Sequence, residues 1–174
     1  MSRLRILLVS LAIVVLIACI YSSTRPFPFH GPVAGHVPAG LENDGFVPYG
    51  WTTICYRFGC ERCGSTSYIN RETPGLSTMV LISYCSIPDE LEGLTSEDAA
   101  LIIKNYTYVD SSYVNGTMTI DGETAYYNRR DNNGSEAMSL QGINGNVYYY
   151  IICGWNTSGN EGSKVMSLIE SLDF

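Results

Sequence analysis

Residues 113–154 read YVNGTMTI-DGE-TAYYNRR-DNNGSE-AMSLQGI-NGN-VYYYIICG. Four β-prone segments, roughly Tyr113 to Ile120, Thr124 to Arg130, Ala137 to Ile143 and Val147 to Gly154, alternate with three turn signals. The turns are Asp121-Gly122, Asn132-Asn133-Gly134 and Asn144-Gly145. Each supplies a residue that tolerates positive φ, and Asn144-Gly145 predicts a type I′ hairpin. Connections this short join antiparallel neighbours, so the stretch predicts a four-stranded meander.

Working outward, Thr95-Ser96-Glu97-Asp98 opens a helix. Thr95 can accept from a first-turn N–H, and the acids oppose the positive end of the helix dipole. Ala99, Leu101, Ile102 and Ile103 give it an apolar face up to about Lys104. A second helix is expected from about Asn160 to Leu172, with Val165, Met166, Leu168, Ile169 and Leu172 at helical spacing. Before the first helix, Trp51 to Phe58, Thr66 to Arg71 and Leu76 to Ile87 read as strands, the last two joined at Glu72-Thr73-Pro74-Gly75. Three strands, a helix, four strands and a helix predict an α+β fold, an antiparallel β-sheet of about six to seven strands with a helix packed on each side.

The segments IDGETAYY (120–127), VYYYIICG (147–154) and EGSKVMSLIESLDF (161–174) resemble the C-terminal half of PsbP-like domains. The resemblance covers roughly Met79 to Phe174. It implies an α/β/α sandwich and a non-enzymatic binding or assembly role in an exported setting. The cysteine-rich first hairpin departs from that family.

The N-terminus reads as an export signal. Arg3 and Arg5 precede an uncharged run of 15 residues, Ile6 to Ile20. As a helix it spans about 22 Å, short of the roughly 30 Å hydrocarbon core. It suits a signal peptide or a short single transmembrane anchor. The positive flank stays cytoplasmic, which puts the rest of the chain outside the cell membrane. Leu16-Ile17-Ala18-Cys19 resembles a lipobox, with Cys19 as the lipidated residue. The alternatives are an ordinary cysteine in an uncleaved helix and a cleaved, fully secreted protein. The expected organisation is a leader or anchor over 1–21, a Pro/Gly-rich stalk over 22–48, and an extracytoplasmic domain over 49–174. The stalk reading rests on five of the seven prolines.

Charge and histidine content exclude several functions. All 17 acidic residues lie at or after Glu42, against 10 basic ones of which two precede the apolar run. Such a surface repels phosphate backbones, so no nucleic-acid partner is expected. The only two histidines, His30 and His36, fall in the stalk, which leaves the domain without imidazole catalysis or histidine metal sites.

The cysteines are the sharpest chemical feature. Cys55-x4-Cys60-x2-Cys63, followed by Cys85, fits ferredoxin-like [2Fe–2S] spacing and a four-cysteine zinc site. Disulfides are the expectation for exported cysteines. If the second and third strands turn at Thr73-Pro74, facing residues have numbers summing to about 148, which sets Cys63 opposite Cys85. That register predicts a Cys63–Cys85 bridge, with Cys55 and Cys60 flanking the other turn. Cys153 is expected to be a buried thiol. Cys60 and Cys63 also form a C-x-x-C, but in a hairpin rather than at a helix start, where a redox pair gains acidity.

Asn105, Asn115, Asn133 and Asn156 each begin an N-x-[ST] sequon, which are glycosylation candidates in an exported chain. Asp89, Glu90, Glu92, Glu97 and Asp98 read as solvated loop and first-turn charges. Tyr126, Tyr127 and Tyr148 to Tyr150 read as cross-strand packing. No nucleophile elbow, phosphate loop or dinucleotide fingerprint occurs. The expectation is a membrane-anchored extracytoplasmic binding or assembly domain without catalytic activity or cofactor, its partner an unknown protein or small ligand. The alternative is an extracytoplasmic thiol–disulfide or metal-binding protein built on Cys55, Cys60, Cys63 and Cys85.

Overall fold

The computed structural model describes residues 31–46, 63–70 and 78–174. Among them the chain runs β1 (Val33–Ala34), β2 (Glu42–Phe46), β3 (Cys63–Ile69), β4 (Met79–Ser86), α1 (Ser96–Thr107), β5 (Val114–Ile120), β6 (Glu123–Asp131), β7 (Ser135–Asn144), β8 (Val147–Asn156), α2 (Glu161–Glu170) and β9 (Leu172–Asp173). The fold is α+β. Seven strands form one antiparallel sheet in the order β2-β3-β4-β8-β7-β6-β5, and β1 pairs separately with β9.

The meander forms where the turn residues place it. Asp121 and Gly122 both take positive φ (46° and 81°) between Ile120 and Glu123, a type I′ turn. Asn133 and Gly134 do the same, closed by Asn132 N donating to Ser135 O at 2.7 Å. The third turn corrects the sequence reading. Asn144 pairs with Val147, so the loop is Gly145-Asn146, and only Gly145 (φ 55°) is left-handed. That is the type II′ pattern, with Gly at the first central position.

The β3–β4 register is the one expected. Cys63 faces Cys85 and Ile69 faces Met79, with Asn70 N donating to Thr78 O at 2.9 Å. The turn at Thr73-Pro74 and the strand expected at Trp51 to Phe58 lie outside the described residues. Cys63 and Gly64, which the sequence pattern assigns to a turn, are instead the first residues of β3.

The segment expected as a stalk departs further. Glu42–Phe46 is the edge strand of the main sheet, paired with β3 through a bulge between Asn43 and Gly45. Val33–Ala34 pairs with Leu172–Asp173, and Gly35 N donates to Ser171 O at 2.7 Å. Pro32, Pro38 and Leu41 are buried, so this part of the Pro/Gly-rich stretch is built into the domain.

Alternate residues of β8 join two different hydrophobic clusters. Tyr149, Ile151, Cys153 and Trp155 pack with Val80, Ile82, Leu140 and with Val165, Leu168 and Ile169 of α2. Tyr148 packs with Cys63, Cys85, Leu91 and Ile103 of α1. Each fully buried aliphatic side chain contributes about 1.5–3 kcal/mol, which makes the first and larger cluster the main source of stability.

Three tyrosines in the sheet cover glycines directly across the ladder: Tyr84 over Gly64, Tyr127 over Gly116 and Tyr149 over Gly142. A Cβ at any of these glycines would enter the phenol ring. A ring laid over glycine restores the packing that the missing side chain forfeits.

Candidate functional site

Helix α1 begins as the sequence predicts. Thr95 Oγ1 accepts from Asp98 N at 3.1 Å and donates to the Asp98 carboxylate at 2.7 Å. Ala99, Ile103 and Thr107 form its buried face. The helix runs three residues past Lys104, and its end is held by the sheet. Asn128 Nδ2 donates to Thr107 O at 2.6 Å and to Ser139 Oγ at 2.7 Å. Small alanines at 99 and 100 leave a gap between the start of the helix and the sheet.

That gap is an open cleft of about 590 Å³, within the size range of sites for small ligands or peptide side chains. Its floor is Ile103 and Ala99 from α1 with Tyr126 and Ile143 from the sheet. Ile87, Leu91 and Leu94 of the β4–α1 connection form one wall. Glu123, Thr124 and Gly145, from the tips of two hairpins, and Glu97 of α1 complete the lining. The two tips are tied together: Asn144 Nδ2 donates to Asp121 Oδ2 at 3.0 Å. Phe174 N donates to the same carboxylate oxygen at 3.3 Å, so the C-terminus braces this corner.

The cleft can exclude water from an apolar group and present carboxylates around it. Among the described residues its lining includes no histidine, cysteine, lysine or arginine. Among the described residues no group of three or more His, Cys, Asp or Glu side chains converges to hold a metal ion.

The cysteines lie elsewhere. Cys63 is disulfide-bonded, while Cys85, directly opposite, is a buried thiol. The Cys63–Cys85 bridge is therefore not formed, although its register is. The sulfur that Cys63 bonds lies outside the described residues, as do Cys55, Cys60 and Cys19. Cys153 is a buried thiol, as expected, with Sγ donating to Met138 O at 3.6 Å. Burial pushes it up to about 12, slightly opposed by that hydrogen bond, so it is inert at neutral pH.

The four sequon asparagines differ in setting. Asn105 is exposed on α1, and Asn133 is exposed in the positive-φ turn. Asn115 is exposed on the edge strand β5, with Nδ2 donating to Val109 O at 3.1 Å. Asn156 is half-buried, and its Oδ1 accepts from Ser158 N and Oγ, both at 2.8 Å.

A polar cluster outside the cleft joins α2 to the β3–β4 hairpin. Glu161 Oε2 accepts from Thr78 Oγ1 at 2.7 Å and Asn70 Nδ2 at 3.1 Å, and Oε1 accepts from Lys164 Nζ at 2.8 Å. The Lys164 hydrogen bond, then those of Thr78 and Asn70, hold the Glu161 carboxyl at about 2. Three donors converging on one carboxylate fix the start of the helix, which is a structural role.

Sequence reasoning misses the cleft. By pattern Glu97 is a solvated first-turn charge, and Glu123 does not stand out. The available signal is the Ala99-Ala100 pair beside Glu97, in a stretch without a base between Arg71 and Lys104. No protein-family model, curated protein or solved structure matches the chain.

Proposed function

We propose that this chain is a membrane-anchored, extracytoplasmic binding or assembly domain without catalytic activity, and that it binds its partner in the cleft beside α1. The observation that carries this reading is the cleft itself: apolar side chains with two carboxylates among them and, among the described residues, no histidine, cysteine, lysine or arginine. Binding there is driven by expulsion of water from Ile103, Ile143, Leu91 and Tyr126, with orientation set by Glu97 and Glu123. The basic n-region and uncharged Ile6 to Ile20 support export and attachment, by a helix or by a lipid on Cys19. Among the described residues no helix is long and apolar enough to cross a membrane. The PsbP-like α/β/α layering belongs to the same proposal, supported by the separation of α1 and α2 into the two clusters that meet alternate residues of β8.

The alternative, a thiol–disulfide or metal-binding protein, draws on one observation: Cys85 lies directly across the ladder from Cys63. Both side chains are 0 % exposed, which denies an external substrate access to either sulfur. Two measurements separate the readings. Cell fractionation should leave the protein with membranes after a high-salt wash, with intact mass showing Met1 or a lipid-modified Cys19. Purified full-length protein should carry no stoichiometric zinc or iron and reduce no disulfide substrate. Soluble unmodified protein, bound metal or thiol turnover would overturn the proposal.

A further inference from the structure

We infer that the cleft takes a polypeptide segment presenting a large apolar side chain between Lys or Arg residues. The inference rests on the reading of the cleft as the binding site and names its ligand chemistry. Charge complementarity carries it. Glu97 of α1 and Glu123 of the β5–β6 hairpin line the cleft, and Asp89, Glu90 and Glu92 stand exposed on the β4–α1 connection, which also contributes Ile87, Leu91 and Leu94 to the lining.

Among the described residues no base offsets them. The described residues include only four lysines or arginines, and each is directed elsewhere. Lys104 lies over the Tyr108 ring at 5.6 Å, and Arg130 over Tyr113 at 5.6 Å. Arg129 reaches Glu136 at 3.9 Å, and Lys164 reaches Glu161 at 2.8 Å. Asp98 and Asp121 are occupied by Thr95 and by Asn144 with the Phe174 amide, so the available carboxylates are those named above.

The spacing of these acids selects the ligand class. A single amine can answer one carboxylate, whereas two carboxylates from separate elements lining the cleft and three more on the adjoining connection call for several cations around one apolar anchor. A chain with Lys or Arg flanking Leu, Ile or Phe supplies both. Leu94, which lines the cleft, is 40 % exposed and leaves apolar surface open at its edge.

The test uses the full-length chain in a neutral detergent, with empty micelles as reference, and fluorescence anisotropy of labelled hexapeptides. A Lys-Leu-Leu-Lys-Leu-Lys peptide should bind one site, and more weakly as salt is raised. Replacing its lysines with glutamate should abolish binding, and replacing its leucines with serine should weaken it at least tenfold. Glu97→Gln and Glu123→Gln, both at exposed positions, should each weaken binding about two- to fivefold. Ala100→Trp, which fills the cleft, should remove it.

Equal binding by the serine peptide, or by the Glu97→Gln/Glu123→Gln double variant, would overturn the inference. So would a simple alkylamine that binds as tightly as the peptide. Failure of the broader reading looks different: indole, a neutral apolar probe, followed by saturation-transfer NMR, would then bind wild type and Ala100→Trp alike. Indole binding lost in Ala100→Trp, with no peptide binding to wild type, would retain the cleft as a site and reject this ligand.

Discussion

Cys63 and Cys85 stand directly opposite each other in the β3–β4 ladder, yet Cys63 is bonded to a different sulfur and Cys85 remains a buried thiol. Facing positions in antiparallel strands bring Cα atoms to about 4.5–5.5 Å, within reach of a disulfide.

Non-reduced peptide mapping should link Cys63 to a cysteine outside the described residues and should contain no Cys63–Cys85 peptide. Cys85 and Cys153, 0 % and 1 % exposed, should resist alkylation in the native protein and react once it is unfolded without reductant. A Cys63–Cys85 peptide would contradict the account.

Glu161 makes stability depend on acid. Its folded-state pKa is about 2, below the ordinary 4.5, because Lys164, Thr78 and Asn70 donate to the ionised form. A depressed carboxyl contributes stability that is complete above about pH 4.5 and is lost as pH falls toward 2. Glu161→Gln should cost about 1–2 kcal/mol at pH 7, after allowance for solvent screening, and the difference from wild type should shrink toward pH 2. Urea unfolding at pH 7, 4 and 2.5 measures it; a difference independent of pH would contradict the assignment.

Tyr149 is 0 % exposed, and its hydroxyl has no hydrogen-bond partner among the described residues. Burial, then the Glu123 and Asp121 carboxylates, push its phenol well above the usual range. A buried polar group without a partner is a net cost. Tyr149→Phe should therefore raise stability by about 1 kcal/mol, because the ring keeps its contact with Phe174 at 4.5 Å. A loss of similar size would show that the hydroxyl is satisfied.

Gly142→Ala should destabilise by about 1–3 kcal/mol, since the new methyl would enter the Tyr149 ring in a fully packed layer. Gly122→Ala tests the other use of glycine. Nothing lies within 4 Å of an added Cβ there, but φ is 81°, so its cost comes from the backbone alone. Thermal unfolding of the two variants, with Gly142→Ala rescued in part by a smaller residue at Tyr149 and Gly122→Ala not, separates them.

Much of the fold was legible because local signals set it. Asp121-Gly122 and Asn133-Gly134 fixed two hairpins, Thr95 fixed the start of α1, and the sum near 148 fixed β3 on β4. The third turn was shifted by one residue, and the Asn144 side chain is used instead to bind Asp121. Strands β1 and β2 were missed for a physical reason. Glu42–Phe46 is polar and bulged at a sheet edge, and Val33–Ala34 is a strand only because Leu172–Asp173 returns to it from the far end of the chain. The cleft was illegible because its lining comes from separate segments, Ile87 to Ile103, Glu123 to Tyr126 and Ile143 to Gly145, that only the folded sheet brings together.

The most direct test of binding in the cleft is a methyl NMR titration of the isoleucines in the full-length chain with the Lys/Leu peptide. The account predicts saturable shifts at Ile87, Ile103 and Ile143, which line the cleft, and none at Ile82, Ile151 and Ile169, buried in the cluster that contains α2. Shifts centred on Ile82, Ile151 or Ile169, or no saturable shift at Ile87, Ile103 and Ile143, would contradict it.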